Sequence, residues 1–195
     1  MSGFRIIPRL EIKGINVVKG MRMEGLRVVG KPQELIKTYL NDGADEILFI
    51  DTVASLYNRN QLHELISSTS QLCNIPITVG GGVRSIADIY EMLRNGADKV
   101  SINTAAHLNS ELISDACREF GSQCIVASVQ AKKQLDGSWE ALYLNGRERS
   151  NKDVVSWCSE LSDAGVGEIL VTSVDFDGTR QGIDRKLIET ILPKV

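Results

Sequence analysis

The sequence predicts an α/β fold, a parallel β/α barrel, and three observations carry that reading. Short apolar runs ending in polar residues alternate six times with amphipathic stretches, the rhythm of parallel β/α units. Gly43-Ala44-Asp45-Glu46-Ile47-Leu48 recurs more than 100 residues later as Gly165-Val166-Gly167-Glu168-Ile169-Leu170, as a duplicated half-barrel would repeat. Three helical stretches run into Gly43, Gly96 and Gly165, the residue that left-handed helix ends prefer.

The first strand is expected near 5–12 and the first helix near 32–42, with Pro32 in the first turn. The second strand covers 46–51, with a helix near 60–73. The third is short, 77–79, just after Pro76, with a helix near 85–95. The fourth covers 99–102 and its helix 109–120. The fifth covers 123–130, with a helix near 151–164. The sixth covers 168–173, with a helix near 184–192. Two insertions break the rhythm. Residues 14–30 read as a long loop carrying Lys19, Arg22 and Arg27. Residues 131–149 read as a small hairpin turning at Asp136-Gly137. In a parallel barrel both fall at the carboxyl ends of the strands, where active sites are built. Two equal halves imply eight units, and six are present. Residues 1–195 are therefore expected to be one incomplete barrel domain, a truncated chain with strands seven and eight absent or supplied by something else.

Composition narrows the function. A net charge of −3 gives no case for nucleic acid or an acidic membrane surface. No apolar run approaches the roughly 20 residues that span a bilayer. The chain enters its first strand almost at once, so no signal peptide is expected and the location reads as cytoplasmic. Cys73, Cys117, Cys124 and Cys158 lie far apart, and His63 and His107 do not complete a metal-ligand spacing, so no metal and no cofactor are expected.

Chemistry concentrates at strand ends. Glu11 and Gln130 end the matching first and fifth strands, each two residues before a lysine (Lys13, Lys132). In a two-fold barrel they would face each other across the mouth. A carboxylate pair there trades protons; a carboxylate with an amide does not. Gly80-Gly81-Gly82 follows the third strand, where open backbone N–H groups and a helix N-terminus suit a phosphate, and Asn103-Thr104 end the next strand. The same glycines also serve a plain tight turn. Asp51 ends the second strand, to orient substrate or water or simply to cap the loop. Lys19 suits a phosphate contact or a solvated loop. Arg5, Glu46, Lys99 and Glu168 begin strands one, two, four and six, an ion-pair layer at the barrel floor. Trp139 and Trp157 read as packing residues.

Thr78-Val79-Gly80-Gly81-Gly82-Val83-Arg84, Gly96-Ala97-Asp98-Lys99-Val100-Ser101-Ile102-Asn103 and Gly121-Ser122-Gln123-Cys124-Ile125-Val126 resemble the cyclase (synthase) subunit family of imidazole glycerol phosphate synthase. Val17-Val18-Lys19-Gly20 and Asp175-Phe176-Asp177-Gly178-Thr179 do so too. The resemblance runs through the whole chain and about three-quarters of the family pattern. It implies a (β/α)8 barrel paired with a glutaminase subunit, whose ammonia crosses the barrel interior to a phosphorylated substrate in histidine biosynthesis. It implies phosphate binding at Lys19, Gly81, Gly82, Asn103, Thr104, Asp177 and Gly178. It makes Arg5, Glu46, Lys99 and Glu168 the ammonia gate and Asp98 a contact to the glutaminase. The family's two catalytic aspartates fall at Glu11 and Gln130, a degenerate pair, and the family's usual cysteine is Arg9. These departures suggest a divergent paralogue of the surface-polysaccharide type, feeding ammonia to a nucleotide-sugar acceptor to form an acetamidino group. The alternatives are the histidine-pathway cyclase itself and a non-catalytic activator of the glutaminase.

Overall fold

The computed structural model describes residues 3–54, 63–71 and 73–195. The chain divides into two compact units. The first holds Met1–Lys19 and Arg27–Ser101, the second Gly20–Leu26 and Ile102–Val195.

In the first unit, β1 (Arg9–Lys13) pairs in parallel with β4 (Ile47–Asp51), β4 with β5 (Ile77–Gly80), and β5 with β6 (Lys99–Ile102). Side chains alternate along each strand, so the pairing register sorts them by face. One face carries Leu10, Phe49, Val79 and Val100, none more than 1% exposed. The helices α1 (Pro32–Asn41), α2 (His63–Ser70) and α3 (Ile86–Arg94) bury Ile36, Ile66, Ile89 and Met92. The other face mixes charged and polar residues with Leu48 and Ile50. Arg9, Leu48, Thr78 and Lys99 lie in one row; Glu11, Ile50, Gly80 and Ser101 lie in the next, nearer the strand ends.

The second unit contains α4 (Thr104–Leu108), α5 (Glu111–Phe120), β7 (Ile125–Lys133), β8 (Trp139–Tyr143), β9 (Glu148–Asp153), α6 (Val154–Asp163), β10 (Glu168–Ser173) and α7 (Arg185–Ile191). β7 pairs in parallel with β10, and its extension past Gln130 starts an antiparallel meander through β8 and β9. Ala127, Val129, Ala131, Ala141, Val154 and Cys158 are fully buried. Burial and the nearby Asp153 push the Cys158 thiol up to about 11, which keeps it protonated and unreactive.

Six β/α units stand among the described residues, and the strands expected at 99–102 and 168–173 match to the residue. The glycines closing helices at 43, 96 and 165 all have positive φ (84°, 107° and 92°). Other boundaries differ for identifiable reasons. The first strand begins at Arg9, because Pro8 has no N–H for a ladder; residues 5–8 are instead held by Asp45 and by Leu48 N–H donating to Pro8 O at 3.0 Å. Residues 14–30 are a β-hairpin, not a loop: β2 (Asn16–Met21) pairs with β1, and β3 (Glu24–Gly30) lies beside β2. The expected helix at 109–120 is present as α5, and an unexpected short helix, α4, precedes it. The expected hairpin at 131–149 is the longer meander. The fifth strand starts at Ile125, after a short 3₁₀ turn at Ser122–Cys124. Asn151–Asp153 close β9 rather than open a helix; Asp153 is the cap of α6, accepting from Ser156 N–H at 3.0 Å. The helix expected near 60–73 is α2; residues 60–62 and 72 lie outside the described residues. Among the described residues no helix is long and apolar enough to cross a membrane, and no three His, Cys, Asp or Glu side chains could hold a metal.

Candidate functional site

In the first unit the inner face carries two ionic layers. At the floor, Glu46 is 2% exposed and its Oε2 accepts from Lys99 Nζ at 2.7 Å and Arg5 Nη1 at 3.1 Å, while Thr78 Oγ1 donates to Oε1. Arg5 lies ahead of the first strand rather than beginning it, and reaches back to this carboxylate. Nearer the strand ends, Glu11 is 5% exposed, and its Oε1 meets Arg9 Nη2 at 3.0 Å and Lys19 Nζ at 3.1 Å. Lys19 lies on β2 one residue past the Glu11–Val18 pair, and its long stem carries Nζ to the carboxylate. In the same row as Glu11, the Ser101 hydroxyl is buried without a hydrogen-bond partner.

Asp51 performs the capping role. Its Oδ1 accepts from Val53 and Ala54 N–H at 2.9 Å each. Burial raises its carboxyl above the ordinary value, partly offset by those two bonds. Gly81 has φ +101° and passes so near Asp51 that a Cβ would stand 2.3 Å from its carbonyl oxygen, so only glycine fits this turn.

Asp98 has a structural use that its expected interface role does not mention. Its N–H donates to Ile77 O and its carboxylate accepts from Ile77 N–H, both at 2.8 Å. Asp45 makes the same two-bond clip to Ile6, at 3.0 and 2.7 Å. The repeated Gly-Ala-Asp thus ties the start of one strand to the start of its neighbour. In the second unit the equivalent Gly167 keeps only the backbone bond, donating to Ile125 O at 3.2 Å.

In the second unit Gln130 is 6% exposed, pairs with Thr172 on β10 and Leu142 on β8, and its Oε1 is buried without a partner. Asn103 and Thr104 are engaged in stitching. Asn103 Nδ2 donates to Ser128 O at 2.8 Å and Leu142 O at 3.3 Å, and Thr104 Oγ1 accepts from Leu144 N–H at 3.2 Å. Asp177 and Gly178 form the turn after β10, beneath the hairpin tip. Arg22 N–H donates to Asp177 O at 2.7 Å, and a Cβ on Gly178 would stand 2.1 Å from Gly20 O. Beside them Lys132 pairs with Asp175. Partial burial works to raise the Asp175 carboxyl, but bonds from Lys132 and Lys133 N–H and the charges of Lys132 and Arg22 outweigh it and hold it below the usual range. Glu168 opens β10 opposite Val126. His107 stacks on Trp157 at 4.7 Å, with Tyr143 at 5.4 Å and Lys152 Nζ 3.6 Å over the Trp157 ring. Both tryptophans are 4% exposed.

Sequence reasoning missed three features: the Arg9–Glu11 pair, the aspartate clips and the Lys132–Asp175 pair. The first was readable, since residues two apart on a strand share a face. The second was readable from the repeated Gly-Ala-Asp.

Parallel β/α units, with ionic clusters on one sheet face of the first unit, define an α/β protein. The chain belongs to the family described as histidine biosynthesis protein, which matches residues 5–195 and folds as a (β/α)8 barrel. It is 53% identical over 191 residues to imidazole glycerol phosphate synthase subunit HisF of Legionella pneumophila, covering 98% of this chain and 90% of that one. It is 46% identical over 193 residues to the subunit of the same name from Prochlorococcus marinus (strain MIT 9215), covering 98% and 75%. The likeness to the Streptococcus sanguinis (strain SK36) subunit is 42% over 187 residues, covering 96% and 74%. These relatives lend no support to the divergent polysaccharide paralogue.

Proposed function

We propose that this chain is an ammonia-using cyclase subunit of the imidazole glycerol phosphate synthase type, a lyase-like synthase fed by a glutaminase partner. The observation that carries the reading is the match in name and in length of alignment to HisF subunits, with 98% of this chain aligned at 53% and 46% identity. The inner face supports it. A floor of Glu46 with Arg5 and Lys99 repels the ammonium cation at its two positive members and offers neutral ammonia hydrogen bonds. In the first unit the backbone at Gly81 and Gly82, with Lys19, holds a phosphate. In the second, Asn103 and Thr104, Asp177 and Gly178 take the phosphate roles and Glu168 the gate role that the family resemblance implies. Asp51 fixes the loop that frames the first phosphate. Asp98 lies at the glutaminase interface and also secures the strand beneath it. Glu11 remains a carboxylate able to exchange a proton, while Gln130 positions substrate by hydrogen bonding alone.

Gln130 favours one second reading: a sister subunit that delivers ammonia to another acceptor, such as a nucleotide sugar in surface-polysaccharide synthesis. Complementation separates the two. A histidine auxotroph lacking its cyclase subunit should grow without histidine when it expresses this chain with a glutaminase partner. No growth, with glutamine hydrolysis by the partner still accelerated, would favour the second reading. No growth and no acceleration would sink both.

A further inference from the structure

Two donors of the floor carboxylate Glu46 each sit next to a residue held by an aspartate clip. Arg5 Nη1 donates to Glu46 Oε2 at 3.1 Å, and the following residue, Ile6, is the one that Asp45 clips. Thr78 Oγ1 donates to Glu46 Oε1, and the residue before it, Ile77, is the one that Asp98 clips. The two cases differ in what else holds the donor. Ile77 and Thr78 lie inside β5, in a ladder with β4. Arg5 lies ahead of β1, and its side chain is half-exposed. Phe4 and Ile6 are exposed too, so burial of these side chains does not anchor the stretch. A chain end of this kind frays unless its backbone is tied down. Asp45 ties it twice: its N–H donates to Ile6 O at 3.0 Å, and its Oδ2 accepts from Ile6 N–H at 2.7 Å.

We infer that Asp45 is a positioning residue: through Ile6 it holds the Arg5 guanidinium on Glu46, and thereby sets how the floor admits ammonia. Asp45 and Glu46 are adjacent, so one short stretch supplies both the tie for the backbone and the acceptor for the side chain. Asp45 touches no substrate in this scheme and acts through Arg5. The consequence for ammonia rests on the proposed function; the hold on Arg5 does not.

Trypsin reads the hold directly, because Arg5–Ile6 is itself a trypsin bond and cleavage follows the population of the opened segment. Release of the segment ending at Arg5 is timed by mass spectrometry in the natural chain, Asp45→Asn and Asp45→Ala, against cleavage after Arg9, inside β1. Asp45→Ala should speed cleavage after Arg5 by about fivefold, the worth of one exposed hydrogen bond, and leave cleavage after Arg9 unchanged. Asp45→Asn, which keeps an acceptor without the charge, should fall between. Equal rates in all three proteins, or equal acceleration at both bonds, overturns the inference. Should Asp45→Ala not fold, Asp45→Asn against the natural chain decides in the same way. In complex with a glutaminase partner, the ratio of glutamine-driven to ammonium-driven turnover separates positioning from mere stability. Arg5→Met should shift that ratio and Asp45→Ala should shift it in the same direction. The double variant should go no further than Arg5→Met, since the two residues act in one line of contacts. A ratio moved by Arg5→Met but not by Asp45→Ala overturns the inference. A ratio unmoved by Arg5→Met overturns its ammonia half together with the gate reading, and the trypsin rates still decide the hold.

Discussion

Replacing Glu46 by Gln isolates the energetics of the barrel floor. The substitution preserves shape and the contact with Thr78 but removes the charge that Lys99 meets at 2.7 Å and Arg5 at 3.1 Å. Arg5 is half-exposed and solvent-screened, so its pair is worth about 0–1 kcal/mol. The Lys99 side chain is only 13% exposed, and removing the carboxylate that such a desolvated charge meets at 2.7 Å costs about 3–5 kcal/mol. A loss of about 3 kcal/mol lowers the melting temperature of a chain this size by roughly 6–12 °C. The double variant Glu46→Gln/Lys99→Met exchanges the pair for a neutral row of similar volume and should recover all but about 1 kcal/mol. Thermal and urea unfolding followed by circular dichroism measure the melting temperatures and the free energies. A shift under about 2 °C in the single variant, or a double variant no more stable than the single, would refute the reasoning.

His107 gives a pH signature. Burial, reinforced by the charge of Lys152 and opposed by Glu160, pushes its imidazole from 6.5 down to about 4. The unfolded chain therefore takes up the proton first. The stability of the neutral ring is full above about pH 6.5 and is lost as pH falls toward 4, by about 1–2 kcal/mol after discounting for partial exposure. His107→Phe keeps the stack and should flatten the melting-temperature decline between pH 7 and 4.5 relative to the natural chain; parallel declines would contradict this. Gly178→Ala should push the hairpin tip off the turn after β10, seen as faster limited proteolysis within 20–26, because the methyl would stand 2.1 Å from Gly20 O at a φ of +72°. Asp98→Ala should cost about 1–2 kcal/mol in the isolated chain by opening the clip to Ile77, an effect on the strand start that any interface measurement at Asp98 must subtract.

Particular residues explain how far the sequence could be read. Glu168–Ser173 and Lys99–Ile102 were legible because each apolar run is bounded by a charged residue at its start and by a polar turn at its end. The hairpin at 14–30 was not. Its turn places Arg22 and Met23 at φ 53° and 65°, a conformation normally announced by Asn-Gly, and neither residue type signals it. Lys99 could be placed at a strand start and Glu46 just before one from the sequence, whereas Glu11 and Gln130, expected as strand ends, lie inside strands that continue to Lys13 and Lys133. What each of those side chains binds was not legible, because Arg5 lies 41 positions from Glu46 and Lys99 lies 53 from it, and only folding brings them together.

The central claim is the proposed one: an ammonia-using cyclase in which Gln130 stands where the family resemblance implies an aspartate and cannot exchange a proton. Steady-state cyclisation of the histidine-pathway substrate with ammonium chloride, free of any glutaminase, tests it most directly. The natural chain should form product in proportion to ammonia at well under about 1 s⁻¹. Glu11→Asp/Gln130→Asp, which restores two aspartates, should raise turnover by about 10²-fold, the contribution of a positioned acid or base. Product absent from both folded proteins would contradict the account.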